Sequence, residues 1–250
     1  MKHSARSYMV EVLVPAYNSF LEQYENNVLG LRKDTIAGAA VAEACLHITE
    51  YIYPETRIAL KDRGLCKLKD YRESLFSRSP EYKYTCGLAN AWKHKTLTRP
   101  NREIESIVGT DEYFAVVRLR DQEGCYYYGR KVVMVTLSDG RRVELGGLLS
   151  LSLALVIDEA QVLGIIPGTP RIKVPKQPYR SRSEVLDVPT IRYIAHKGEP
   201  FYAGTLVFVY DEKSGRLYEQ TDADGFITEF KVEFEILEEP FTSPSVEENR

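Results

Sequence analysis

The chain is poor in residues that do chemistry near neutral pH and in those that staple small folds. Its 250 residues hold four histidines, four cysteines, three methionines and one tryptophan. Cys45, Cys66, Cys86 and Cys125 form no C-x-x-C pair, and neighbours stand at least 20 residues apart. That spacing excludes a zinc ribbon and a dense disulfide framework, so reduced thiols and a cytoplasmic setting are expected. No phosphate loop, nucleotide-binding glycine fingerprint or G-x-S-x-G elbow occurs, which removes the commonest nucleotide-dependent and serine-hydrolase readings. Long apolar runs are lacking too. The longest, Leu145–Ile157, is interrupted by Ser150 and Ser152. It falls short of the roughly 20 residues of a membrane span and reads as a buried helix; no membrane partner is expected. The apolar N-terminal stretch is broken by Glu11 and Pro15, so no signal peptide is expected. There is no internal repeat.

Hydrophobic residues make up 44% and charged residues 28% of the chain, enough apolar material for a real core. Charge is uneven. Residues 1–100 carry 15 Lys and Arg against 11 Asp and Glu, and the remainder 18 against 25.

Periodicity divides the chain. Up to His94 the apolar spacing is helical. One helix is expected after Pro15 through Phe20, Leu21 and Tyr24, and a second from Asp34 as N-cap to Tyr53, stopped by Pro54. A third is expected over Leu65–Phe76. A fourth starts at Ser79-Pro80, an N-cap followed by proline at the first helical position, and ends near Lys95. After Asn101 the period becomes two. Strands are expected at Tyr113–Arg120, Tyr126–Leu137 and Arg141–Leu145, with turns at Asp121–Gly124 and Ser138–Gly140 and a helix over Leu148–Leu163. Residues 167–189 hold five prolines, and from Arg171 to Arg182 five basic residues with no acid. They read as an extended linker, with a phosphate-contacting arm as the sharper alternative. Further strands are expected at Ile191–Ala195, Thr205–Tyr210, Arg216–Gln220 and Phe226–Ile236. The predicted architecture is therefore α+β. It comprises a helical bundle over 1–100, a small α+β segment over 101–166, a basic Pro-rich linker over 167–189, a β module over 190–237 and an acidic tail over 238–250.

The second helix is apolar almost all round, yet Glu43, His47 and Glu50 recur at i, i+4 and i+7 on one stripe, with Tyr51 beside them. Charged groups on such a helix must be paired or face a cleft. On the fourth helix Asn90 and His94 share a face, with Lys93 next to them, while Trp92 is expected to point into the core. The two stripes together would make an acid–base cluster able to work near pH 7, or a structural network between helices. Glu43, His47, Glu50 and His94 would also suit a transition metal, although no cofactor is expected. Asp222-Ala-Asp224-Gly225 fails as a calcium loop, because the twelfth position is Lys231 rather than a bidentate Glu; a turn is expected there instead.

The segment Cys86-Gly-Leu-Ala-Asn-Ala-Trp-Lys-His94 resembles the motif helix of the HEPN superfamily. In that family an Arg, often followed by Asn, precedes a His on a late helix of a four- or five-helix bundle. The resemblance covers about residues 15–97. It implies a homodimer through the helical half and a place among bacterial or phage defence and toxin–antitoxin proteins, as ribonucleases or as inactive binding modules. Asn90 and His94 match, but Ala89 stands where the Arg belongs, so Lys93 or Lys95 would have to supply the cation. A fainter resemblance, over about 188–237, is to prealbumin-like or carboxypeptidase-regulatory β-sandwiches, which are binding or structural modules. The functional expectation is an interaction or RNA-binding module with an RNA or protein partner. The alternatives are a metal-independent ribonuclease, with His94 as acid/base, Asn90 orienting it, Lys93 on the phosphate and His47 or Glu50 assisting, and a metal-binding bundle.

Overall fold

The computed structural model describes residues 4–26, 28–30, 33–94, 107–185, 188–196, 204–214, 216–220 and 229–238; side chains at 93, 94, 107–109 and 196 are outside the description. The fold is α+β. The chain divides into two compact units, neither continuous in sequence. The first comprises 1–26, 33–111 and 132–176, and the second 27–32, 112–131 and 177–250.

In the first unit the N-terminal helical stretch starts earlier than the sequence suggests. It runs as α1 (Ala5–Tyr8), a π turn over Met9–Leu13 and α2 (Val14–Tyr24). Ser4 caps the start, its hydroxyl accepting from the Ser7 N–H at 3.1 Å. Pro15 has no N–H to give and would crowd the carbonyl four residues back. The wider π turn lies directly before it and lets the helix continue. α3 (Lys33–Glu55) passes through Pro54 rather than stopping at it. The cost is confined to the last turn, which Thr56 closes by donating both its N–H (3.0 Å) and its hydroxyl (2.8 Å) to the Ile52 carbonyl. A short α4 (Arg57–Asp62), anchored by buried Leu60, was not legible in the sequence. α5 spans Leu68–Arg78 and α6 Pro80–His94. Ser79 caps α6 as expected, its hydroxyl accepting from the Tyr82 N–H at 3.1 Å, a bond worth about 1 kcal/mol.

The same unit takes in β4 (Arg142–Glu144), paired antiparallel with the end of β3 (Gly124–Leu137), and α7 (Leu145–Val162). By length and composition α7 could cross a membrane. Here Leu145, Leu149, Leu153, Val156 and Ala160 join the core formed with α2, α3 and α6. Its two interrupting serines are both satisfied: Ser150 bonds Tyr17 Oη and Ser152 bonds Thr85 Oγ1, each at 2.7 Å. Gly146 is a packing requirement, because a Cβ there would lie 2.9 Å from the Tyr24 ring. Nearly all of α3's apolar girth (Ala39, Val41, Ala42, Ala44, Cys45, Ile48, Ile52) is consumed in this core.

The Pro-rich stretch after α7 is irregular but fastened. The Asn18 side chain accepts from the Lys173 N–H at 2.8 Å and donates to the Arg171 carbonyl at 3.4 Å, while Glu25 accepts from the Lys176 N–H at 2.6 Å. Residues 171–176 thus lie along α2 as a strap.

In the second unit β2 (Ile107–Asp121) contributes its later residues. It pairs parallel with β6 (Gly204–Asp211), from Tyr113 beside Gly204 to Arg118 beside Val209. β7 (Arg216–Glu219) returns antiparallel on β6. A separate three-stranded sheet has the order β1 (Val28–Leu29), β5 (Thr190–His196), β8 (Lys231–Leu237), all parallel, with Tyr193 flanked by Leu29 and Phe234. Leu29, Phe114, Val116, Ile191 and Tyr193 form one buried cluster of this unit. Gly30 closes β1 in the left-handed region (φ 94°), where a Cβ would meet the Ile194 carbonyl oxygen at 2.1 Å.

Candidate functional site

The polar stripe of α3 is real, and it is half-exposed. The Glu43, His47 and Glu50 side chains are 44, 32 and 50% exposed. His47 Nδ1 lies 4.0 Å from Glu43 Oε1. Described partners come from α1 and α5. Arg72 on α5 is the organising group. Its guanidinium donates to Thr49 Oγ1 at 2.9 Å, to the Leu46 carbonyl at 3.3 Å and to Glu50 Oε1 at 2.8 Å. One planar cation therefore fixes both the helix carbonyl edge and the carboxylate, a geometry lysine could not reproduce. On the other side Tyr8 of α1 stacks on Tyr51, with centroids 4.4 Å apart and planes 21° apart. Burial pushes the Tyr8 hydroxyl up to about 12, helped by neighbouring Tyr51 and Glu43.

The fourth-helix residues fare differently. Asn90 is half-buried and donates its side-chain amide to the Cys86 carbonyl one turn back, at 3.0 Å. The side chains of Lys93 and His94 are outside the described residues, and so is Lys95; the expected approach of His47 to His94 falls there. Trp92 does not enter the core: it is 39% exposed. It stands three and four residues on from buried Ala89 and Leu88, but in the last turn of α6, past the stretch that packs into the core. Ala89 itself is buried, 1% exposed. An Arg at this position would place a guanidinium in a packed core with no carboxylate described beside it.

A second polar cluster in the same unit escaped sequence reading. Glu159 on α7 is 1% exposed and held by two guanidiniums. Arg63 Nη1 lies at 2.9 Å, and Arg78 bonds it directly while also reaching Asp158 at 3.2 Å. Tyr71, fully buried beside them, has a hydroxyl with no hydrogen-bond partner. Burial, with Glu159 nearby, drives that hydroxyl's pKa upward. The one sequence signal was an acidic pair closing an apolar helix, which reads equally well as a solvated helix end. Each guanidinium here is committed to a carboxylate, so the cluster ties α4, α5 and α7 together.

In the second unit a cavity of about 210 Å³ is lined by Tyr128, Gly129, Arg180, Glu184 and Thr190, among others. It is smaller than ordinary ligand pockets, and its charges are spent. Arg180 donates to the Gln177 and Tyr179 carbonyls, at 2.5 and 3.0 Å, and Glu184 caps Ser181. Most other cations of the basic stretch are likewise paired: Lys173 with Glu22, Lys176 with Glu25, and Arg182 in a two-pronged bond to Asp121 over the Tyr126 ring. Among the described residues no group of three or more His, Cys, Asp and Glu is placed to hold a metal. The Asp222–Gly225 loop is outside the described residues.

No protein-family model, curated protein or solved structure matches the chain.

Proposed function

We propose that the protein is a non-catalytic interaction module of HEPN-like type whose helical unit binds a protein partner through the α3 stripe. The observation that carries this reading is Arg72. It locks Glu50 and the α3 carbonyl edge in place and leaves Glu43 and His47 half-exposed on a rigid helix. With Glu50 paired to Arg72, the half-exposed Glu43 carboxylate leaves this face net acidic, which disfavours an RNA backbone and suits a partner offering cations or hydrogen-bond donors. Buried Ala89 argues the same way, because the inward-facing position leaves no room for the cation of the nuclease motif.

The test combines two assays on the full chain. Labelled RNA is incubated with wild type and His94→Ala in excess chelator, and neither is expected to cleave. Proteins retained by immobilised wild type are compared with those retained by Glu43→Lys/His47→Ala. The variant is expected to lose at least one specific partner, since reversing a charge at a complementary interface costs several kcal/mol. RNA cleavage by wild type that His94→Ala abolishes would replace this reading with a ribonuclease.

A further inference from the structure

Among the described residues β8 is the last strand of the order β1-β5-β8, and its apolar row is only partly used by its own unit. Val232 packs against the core. Phe230, just before the strand, keeps a ring contact with Phe114, and Phe234 keeps one with Tyr193. Even so, Phe230 is 46%, Phe234 62% and Ile236 65% exposed. Three large apolar side chains along one sheet edge are an unusual exposure, because an edge strand already invites pairing through its backbone.

The spelling of this edge is symmetric. From 230 to 236 it reads Phe-Lys-Val-Glu-Phe-Glu-Ile. Apolar residues occupy 230, 232, 234 and 236, evenly about Glu233, and the charged residues occupy the other face. If the strand meets its own copy antiparallel about a two-fold at Glu233, Phe230 falls opposite Ile236 and Val232 opposite Phe234, each twice. On the polar face Lys231 falls opposite Glu235, also twice. Only Glu233 meets its own kind, and it already has a cation, since Lys231 Nζ lies 2.9 Å from its carboxylate. Glu235 is likewise held by Arg192. Each copy brings two cations and two carboxylates to this face, so the joined face is neutral.

We propose that β8 joins two copies of this chain antiparallel about Glu233, making a six-stranded sheet in the order β1-β5-β8-β8-β5-β1. Directly opposed apolar and opposite-charge pairs are what stabilise a strand pair, and the symmetric row supplies both kinds in one register. A row slipped by one residue would put apolar side chains opposite charged ones, so the pattern also specifies the register. The interface belongs to the β unit and is independent of the partner-binding stripe on α3.

The test uses the full chain. Light scattering and sedimentation are expected to show a dimer at micromolar concentration. Phe234→Lys, at an exposed position, is expected to weaken it at least about tenfold, the loss of one aromatic anchor. A second variant fixes the register: Glu233→Cys, with exposed Cys66 and Cys125 changed to Ser, is expected to form a disulfide-linked dimer under mild oxidant, because opposed residues of an antiparallel pair stand within disulfide reach. Lys231→Cys in the same background is expected to stay unlinked. A wild-type monomer, a dimer indifferent to Phe234→Lys, or no link at position 233 would each overturn the proposal.

Discussion

At the scale of single residues, the hydroxyls of this protein say most about its behaviour with pH. Tyr8 sits under Tyr51 with Glu43 near, and its folded-state pKa stands at about 12 against an ordinary value of 10.0. The folded chain therefore holds that proton more tightly than the unfolded chain does. Its contribution to stability is complete below pH 10 and is lost as pH rises from 10 toward 12. Tyr17, Tyr71 and Tyr82, raised chiefly by burial, act in the same direction. Tyrosinate absorbance of the native protein is accordingly expected to lag behind that of the denatured chain, with denaturant midpoints falling above pH 10. Tyr8→Phe keeps the ring stack and removes one of these protons. Its midpoint at pH 7 is expected to stay within about 1 kcal/mol of wild type, while its alkaline decline becomes shallower. An unchanged alkaline slope would show that Tyr8 ionises freely. Only Tyr51 of this cluster was legible in the sequence, because Tyr8 reaches it from an N-terminal helix separated by some forty residues.

At the scale of elements, the end signal at Ser79 was legible, whereas Pro54 misled, because α3 includes it. Ser79-Pro80 announced α6 because the cap is chemistry local to two residues. The π turn before Pro15, and α4 with one buried leucine, depend on what the chain packs against, which no local pattern encodes. The candidate site shows the same limit. The i, i+4, i+7 spacing of Glu43, His47 and Glu50 marked one face of α3, but Arg72 had no distinguishing neighbour in sequence and emerged only when α5 docked. The strap over 171–176 is a third case. A proline-rich basic run reads as a free linker, yet Asn18 supplies both halves of a backbone-like pairing to it. Asn18→Ala removes those bonds and leaves the α2 core face intact. Exchange of the Lys173 amide is expected to speed up by roughly tenfold and cleavage within 171–176 to become easier, with a global stability loss near 1 kcal/mol. Unchanged exchange at Lys173 would mean that the strap is held by its ion pairs to Glu22 and Glu25 instead.

At the scale of the whole molecule, linear order misleads about what folds with what. Reading along the chain suggests a β module beginning near residue 190, because strands, turns and polar spacing all recur from there. Yet β5 takes β1 as its second neighbour, and β6 takes β2. Of the five residues of one buried cluster in the second unit, Ile191 and Tyr193 lie after 190, whereas Leu29, Phe114 and Val116 come from much earlier. A fragment spanning 188–238 would retain the β5–β8 and β6–β7 pairs but lose three of those five core side chains and the central partner of β6. Two-stranded pairs without a packed face are marginal in water, and parallel pairs depend on being covered. The isolated fragment is therefore expected to be unfolded by circular dichroism and amide dispersion. Supplying residues 1–187 in trans is expected to restore protection at the Ile191 and Tyr193 amides. A cooperative thermal transition of 188–238 alone would show instead that the C-terminal strands form a self-sufficient sheet and that the Leu29–Phe114–Val116 contacts are an addition to it.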